Sequence, residues 1–285
     1  MIPAIDAHHH FWDPERGNYP WMVGPVLPIR RVFTPDDMRP LLGPAGVKKT
    51  ILVQTWSSLE ESKDFLALAQ SADFIAGVVA WVDLTVADVG DVLDGLLAGP
   101  GGKWLVGIRH QVHDEADPRW LCRPDVRRGL RAVQARGLVY DLLIRPREMT
   151  AALETVRALP GLRFVIDHIA KPAIAKNGFD RWATLMKPFG AEPHVWCKLS
   201  GMVTEADWAS WTPEQIGPYI AQVLEIFGPR RCMMGTDWPV SLLASDYQRT
   251  VDLVRDAISG LDEADQRAVL WDAAAEAYRL TEARL

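Results

Sequence analysis

Residues 4–11, AIDAHHHF, are the first of eight short runs whose Val, Ile and aromatic content is typical of β-strands. Each run is too short to predict a helix. The other seven runs lie at 48–55, 74–83, 104–111, 139–144, 163–170, 195–201 and 231–237.

Helical patterns separate most of these predicted strands. Apolar residues recur at helical spacing in 60–72, 125–135 and 147–159. Thr212 followed by Pro213 predicts a helix start, and Gly228-Pro229 predicts its end after about residue 227. A last helix is predicted at 262–280.

The repeated strand–helix alternation predicts an α/β fold, a closed (β/α)8 TIM barrel formed by residues 1–285 as one domain. A doubly wound open sheet has the same alternation. However, no G-x-G-x-x-G pattern follows the first predicted strand, and eight repeats match the strand number of the barrel.

Composition excludes several classes of protein. The 285-residue chain carries a net charge of −6, which argues against a nucleic-acid groove. It has no apolar run long enough for a membrane span and no recognisable signal peptide, so we expect a cytoplasmic protein without a membrane partner. The three cysteines are widely spaced, as expected in a reducing compartment. The oligomeric state stays open, with a homo-oligomer as one alternative.

The histidine triplet is the first candidate for a functional site. Side chains alternate along a strand, so His8 and His10 point to one face and His9 to the other. Two imidazoles on one face can converge on an ion or a substrate oxygen. The alternative is a fortuitous cluster or a purification tag, but the apolar Ile2, Ile5 and Phe11 surround the triplet.

Polar residues of catalytic type follow the ends of most predicted strands. In TIM barrels the active site lies at these carboxyl ends, so we expect the side chains to meet at one mouth. The residues are His8, His9, His10, Gln54, Arg109, His110, Asp167, His168, Lys171, Lys198, Ser200, Asp237 and Trp238.

The segment 12–47 is long and rich in proline and aromatic residues, and it is predicted to form an ordered lid over the barrel mouth. Several of the 12 tryptophans lie in predicted loops, and a cluster of them at a pocket mouth would suit the C–H face of a sugar ring. The alternative for each is ordinary packing. These loop tryptophans are Trp12, Trp21, Trp208, Trp211 and Trp238.

Five local strings give the chain a family resemblance. With the D-x-H pattern of the first strand, they resemble the amidohydrolase superfamily, and within it the branch of sugar-lactone hydrolases. The resemblance covers residues 4 to about 280. The strings are HHHFWDP at 8–14, GIRH at 107–110, DHIAKP at 167–172, KLSG at 198–201 and GTDWP at 235–239.

The resemblance implies at most one metal ion. Binuclear members carry a bridging lysine or glutamate after strand four and a histidine at strand five. Here Arg109 follows strand four, and arginine is not a metal ligand. One zinc ion on His8, His10, His168 and Asp237 is the first alternative, and no ion is the second. A lactone is an activated ester, so we expect any such ion to be dispensable for catalysis.

The resemblance also implies roles for individual residues. Asp237 is the expected general base, with a loop-capping role as the alternative, and His168 is expected to polarise the lactone carbonyl, with a core role as the alternative. Arg109 is the expected anchor for the substrate, with a structural salt bridge as the alternative. Further expected substrate contacts are His110, Trp12, Lys171, Lys198 and Trp238.

The expected reaction is hydrolysis of a small-molecule sugar lactone, of the L-fucono or L-rhamnono type, to its aldonic acid. A metal-dependent decarboxylase acting on an aromatic or unsaturated carboxylate is the alternative within the superfamily. Another alternative is a barrel that binds a ligand without catalysing a reaction. A serine nucleophile at Ser200 is disfavoured because no G-x-S-x-G elbow is present.

Overall fold

In the computed structural model, which describes residues 1–285, eight parallel strands form one sheet in chain order. Helices surround this sheet, and the predicted (β/α)8 barrel is confirmed. The strands are β1 Ala4–His9, β2 Val47–Val53, β3 Ile75–Ala80, β4 Leu105–His110, β5 Val139–Leu142, β6 Phe164–Ile166, β7 Val195–Leu199 and β8 Cys232–Met234.

The ring closes between β1 and the segment that follows β8. The Asp237 amide donates to the His8 carbonyl at 2.8 Å, and the His10 amide donates to the Trp238 carbonyl at 2.7 Å. The first strand and the end of the barrel therefore share backbone hydrogen bonds at the point where the histidines lie.

The helices follow the expected alternation. The helices are α1 Pro35–Leu42, α2 Leu59–Ala69, α3 Val89–Ala98, α4 Pro124–Ala135, α5 Met149–Ala158, α6 Phe179–Met186, α7 Met202–Glu205, α8 Pro213–Phe227, α9 Tyr247–Ala257, α10 Glu263–Arg267 and α11 Ala273–Ala277. The predictions at 60–72, 125–135, 147–159 and 213–227 correspond to α2, α4, α5 and α8, while the last predicted helix is divided by a π-helical segment at Ala268–Asp272. No helix is both long enough and apolar enough to cross a bilayer.

A bulge in β1 determines where the histidines point. Asp6 pairs with Thr50 and His9 with Leu52, so β1 has one residue more than β2 over this stretch. The Asp6 carboxylate accepts a hydrogen bond from the His8 amide at 3.1 Å, in place of a strand partner. The bulge lies between Asp6 and His9, and His8 and His10 still share a face, with their Nε2 atoms 3.2 Å apart.

The Asp6 carboxylate also joins both sides of the closing seam. It accepts hydrogen bonds from the Thr236 amide at 2.9 Å, from the Thr236 hydroxyl at 2.6 Å and from the Tyr247 hydroxyl at 3.1 Å. Burial raises the pKa of Asp6 to about 6. This aspartate of the D-x-H pattern therefore has a structural role at the seam, behind the histidines.

Apolar side chains fill the amino-terminal end of the barrel. Ile5, Val139 and Trp196 are buried in a cluster that also includes residues of α11. Tyr278, which follows α11, belongs to the same cluster and is 2% exposed. The C-terminal helix thus closes the amino-terminal end, and a ligand can enter only from the carboxyl ends of the strands.

The segment 12–47 is ordered by aromatic packing. Trp12 forms an isolated antiparallel bridge with Phe33, and their rings meet edge to face with centroids 5.5 Å apart. The Trp12 Nε1 group donates to the Ile29 carbonyl at 3.2 Å. The segment also contains the 3-10 helix Gly24–Ile29 and α1, so only part of it is irregular.

Candidate active site

A cavity of about 300 Å³ lies at the carboxyl ends of the strands. His10, Arg109, His168 and Asp237 line its floor. Trp21 and Val26 of the segment 12–47 line the same cavity, so this segment covers the barrel mouth as predicted. The floor is polar, and the walls combine apolar side chains with many polar ones.

The histidine pair meets the aspartate that follows β8. The Nε2 atoms of His8 and His10 are 3.2 Å apart, and Asp237 Oδ1 is 3.2 Å from His10 Nε2 and 3.8 Å from His8 Nε2. His8 is fully buried and His10 is 4% exposed. His9 instead contacts Thr50 Oγ1 at 2.8 Å, on the other side of the strand, as the alternation predicts.

A left-handed turn positions His168. His168, Ile169, Ala170 and Lys171 all have positive φ, and the Lys171 amide donates to the His168 carbonyl at 2.8 Å. Such backbone is costly for residues other than glycine and occurs mainly at functional sites. The turn explains why β6 ends at Ile166, four residues before the end of the predicted strand. The imidazole points to the cavity floor, with its Nε2 atom 3.7 Å from Asp237 Oδ1.

Two neighbours fix the orientation of the His168 ring. Its Nδ1 atom is 2.9 Å from the Ser200 hydroxyl oxygen. Gly201 lies against the ring with a φ of +63°, and a Cβ added there would lie 2.5 Å from His168 Nδ1. Ser200 does not line the cavity, so its contact with His168 is one of orientation.

The protonation states of the floor follow from burial. Burial lowers the pKa of His168 to about 3, so its imidazole is neutral at neutral pH. Burial alone would raise the pKa of Asp237, but its histidine neighbours, His168 first among them, outweigh burial and hold this pKa below its ordinary value. Asp237 is therefore an ionised carboxylate, the form that can accept a proton.

The donor set fits a metal ion. His10 Nδ1 is 2.7 Å from the Val53 carbonyl oxygen and donates to it, so a neutral His10 presents the lone pair of Nε2 to the Asp237 carboxylate. A cation or a proton is needed between these two acceptors. Ligand atoms of His8, His168 and Asp237 all lie within 4.8 Å of one another. Nitrogen and carboxylate ligands of this number suit zinc.

A buried charge network lies directly beneath the histidines. Lys198 Nζ is 2.6 Å from Asp141 Oδ2 and 2.9 Å from Asp167 Oδ1. Asp167 Oδ2 also accepts a hydrogen bond from Arg109 Nη1 at 3.0 Å, and the Tyr278 hydroxyl donates to Asp141 Oδ2 at 2.8 Å. Lys198, Asp141 and Asp167 are all completely buried. We call Arg109, Asp141, Asp167, Lys198 and Tyr278 the interior charge network.

Two of the predicted substrate contacts line the cavity. Arg109 does so, but Gln54, Asp167 and His8 already accept from four of its five N–H groups, which leaves one for a ligand. Lys171 also lines the cavity and forms a salt bridge with Glu205 at 2.6 Å. Arg109 thus forms the structural salt bridge that was considered for it, with Asp167, and it also lines the cavity.

The structure places the other four predicted contacts away from the cavity wall. Lys198 lies beneath His8. The ring of His110 stacks on Trp120 at 4.3 Å, and its Nε2 atom is 2.8 Å from Glu115 Oε1. Trp12 is 3% exposed and Trp238 is 1% exposed, and both pack against Phe33. The residues Lys198, His110, Trp12 and Trp238 therefore do not line this cavity, in contrast to the expectation.

Sequence reasoning did not single out several residues that form the cavity wall. Trp21 and Trp208 are not among these, because both belong to the loop tryptophans considered for a pocket mouth, and both line the cavity. Burial, with nearby Lys171, lowers the pKa of His113 to about 2, so this wall residue is neutral. The other polar residues of this wall are Gln111, Asp114 and Arg145.

Comparison with known proteins identifies the family. A sequence profile of the amidohydrolase family matches residues 5–280. The chain belongs to the amidohydrolase family. The match extends from β1 into the residues after α11, so it covers every strand of the barrel.

Two curated relatives of this amidohydrolase are L-fucono-1,5-lactonases. The protein from Burkholderia ambifaria is 38% identical over 249 residues, which cover 87% of this chain and 84% of that protein. The one from Burkholderia multivorans is 36% identical over 289 residues, 98% of this chain and 96% of that protein. The predicted sugar-lactonase branch and the predicted class, a hydrolase of lactone esters, are confirmed.

A solved structure shows the same fold with a metal. A Burkholderia multivorans amidohydrolase, crystallised with bound zinc, superposes with a TM-score of 0.93 at 34% identity. The match covers 98% of this chain and all of that one.

We expect Lys198→Met to reduce the free energy of unfolding by about 3–5 kcal/mol, because it leaves two buried carboxylates without their cation. Lys171→Met is the matched control, since it breaks a lysine pair nearer the surface and should cost about 1 kcal/mol or less. Urea denaturation measures both. Equal losses in the two variants would contradict a stabilising role of the interior charge network.

Proposed function

We propose that this amidohydrolase hydrolyses a sugar-acid lactone of the L-fucono or L-rhamnono type to the aldonic acid. The observation that carries the proposal is the ionised Asp237 carboxylate, 3.7 Å from the neutral imidazole of His168, on the floor of a covered cavity. Asp237, as the base, and His168, as the polar group that interacts with the lactone carbonyl, are therefore neighbours. The two L-fucono-1,5-lactonase relatives support the choice of substrate.

The proposed reaction begins with attack of water on the lactone carbonyl carbon. Asp237 accepts a proton from this water while the new C–O bond forms, and His168 interacts with the carbonyl oxygen as negative charge develops there. The tetrahedral intermediate then collapses and the ring C–O bond breaks. The proton passes from Asp237 to the departing ring oxygen, which becomes a hydroxyl group of the aldonic acid.

Other parts of the cavity suit a polyhydroxylated ring. Trp21 and Trp208 offer flat apolar surfaces for C–H groups, and the Trp208 Nε1 group is fixed by donation to the Thr204 carbonyl at 2.9 Å. Lys171 and the remaining N–H group of Arg109 are available for hydroxyl groups. Zinc on His8, His10, His168 and Asp237 would, when bound, polarise the lactone carbonyl.

The test is a screen of sugar lactones with a pH indicator, run on metal-free and on zinc-loaded protein. We expect acid release from L-fucono-1,5-lactone in both preparations. Lack of turnover on every sugar lactone would overturn the proposal. Strictly metal-dependent release of CO2 from an aromatic carboxylate would establish the decarboxylase alternative instead.

Asp237→Asn should lower kcat by at least about two orders of magnitude, because an amide cannot accept the proton from water. Asp114→Asn is the matched control on the wall of the same cavity, and it should retain kcat within about tenfold of wild type. Steady-state kinetics on L-fucono-1,5-lactone measures both. If Asp237→Asn retains activity comparable with that of the control, Asp237 is not the base.

Gly201→Ala should lower kcat by more than about tenfold, because the added Cβ displaces the His168 ring and small misplacements are costly in catalysis. Gly228→Ala is matched to it, since Gly228 has a φ of +71° but open space around its Cβ position. Both variants place a side chain on left-handed backbone, but only Gly201→Ala adds a clash with His168, so kcat should fall only in Gly201→Ala. A similar kcat in the two variants would show that the ring position is unimportant.

A further inference from the structure

The two nitrogens of the His8 ring lie beside two cations of the interior charge network. Arg109 Nη1 is 3.1 Å from His8 Nε2, and Lys198 Nζ is 3.1 Å from His8 Nδ1. Guanidinium and ammonium groups can only donate hydrogen bonds. A ring nitrogen that faces such a donor accepts through its lone pair, and a ring that accepts at one nitrogen carries at most one proton, on the other.

The position of Asp167 decides which nitrogen carries that lone pair. Asp167 Oδ1 lies 3.3 Å from His8 Nδ1 and 2.9 Å from Lys198 Nζ, so Nδ1 is the ring nitrogen with a carboxylate beside it, whereas Nε2 has none within hydrogen-bond distance. The lone pair is then on His8 Nε2, where Arg109 donates to it. His8 Nε2 is also the atom that lies 3.8 Å from Asp237 Oδ1, so it is the nitrogen available to a metal ion.

Arg109 is held firmly in this position. Its Nε group donates to Gln54 Oε1 at 3.0 Å, its Nη2 group donates to the Gln54 carbonyl, and its Nη1 group donates to Asp167. The side chain is 3% exposed. Rotation of the guanidinium away from His8 would therefore break several buried hydrogen bonds to polar and charged partners, each of which is costly to lose.

We propose that Arg109 is a built-in competitor of zinc at His8. One lone pair cannot serve a guanidinium N–H and a metal ion at the same time, so zinc must displace the Arg109 hydrogen bond and approach a fixed positive charge. Arg109 thereby weakens zinc binding while leaving the other ligands in place. The inference concerns the metal affinity of the free protein, and its test needs no substrate.

The test measures zinc dissociation constants by competition with a chromophoric chelator, with zinc alone as the ligand. Arg109→Met should bind one zinc ion at least about tenfold more tightly than wild type, because it frees the lone pair and removes the nearby charge. Arg145→Met is the matched control. It removes one positive charge from the wall of the same cavity without a contact to His8, so its affinity should change by less than about threefold.

Two further variants keep the result decisive. Arg109→Gln, whose amide can still donate to Asp167, serves if Arg109→Met does not fold, and it should tighten zinc binding in the same direction. Asp237→Asn in the Arg109→Met background should remove the gain, since it removes a ligand. Zinc affinity no tighter in the Arg109 variants than in Arg145→Met would overturn the proposal. A gain that persists without the Asp237 carboxylate would also overturn it, because the ion would then lie elsewhere.

Discussion

The interior of this barrel depends on one constraint: its buried charges must neutralise one another, because burial removes them from water. Asp141 and Asp167 are completely buried, and neither could remain ionised there without Lys198 and Arg109. Removing ions from water is costly unless each charge has a partner at hydrogen-bond distance. Arg109, Asp141 and Lys198 lie on β4, β5 and β7, and Asp167 directly follows β6, so their mutual attraction also joins neighbouring parts of the sheet.

This network and the histidines above it form one continuous structure. Asp167 contacts Lys198 and Arg109 below, and its Oδ1 atom lies 3.3 Å from the His8 ring above. Of this network only Arg109 lines the cavity, so most of the groups that support its polar floor are one layer deeper in the barrel.

Much of the fold was predictable because strand and helix periodicities are local. The eight strands and their order followed from apolar runs, and the convergence of His8, His168 and Asp237 followed from the rule that strand ends meet at one mouth. The strand ends were less predictable. The predicted strand at 163–170 ends early because residues 168–171 adopt left-handed backbone. This conformation is unfavourable for a β-branched residue such as Ile169, so no sign of it was present in the sequence.

Depth within the barrel was the information that the sequence lacked. Alternation indicates that Lys198 and Ser200 share a face, but it does not say that Lys198 lies one layer below the cavity. The burial of Trp12 and Trp238 likewise depends on Phe33, which is distant from Trp238 in the chain. Such contacts arise only when the segment 12–47 packs over the mouth, and no local pattern records them.

The seam between β1 and the residues after β8 has a consequence for biosynthesis. His10 and Asp237 are 227 positions apart, and they meet only when the ring closes. A growing polypeptide on the ribosome therefore carries its histidines for most of translation without their carboxylate partner. The cavity floor is therefore completed late, and a product that ended before the eighth strand would lack the carboxylate that faces the histidines.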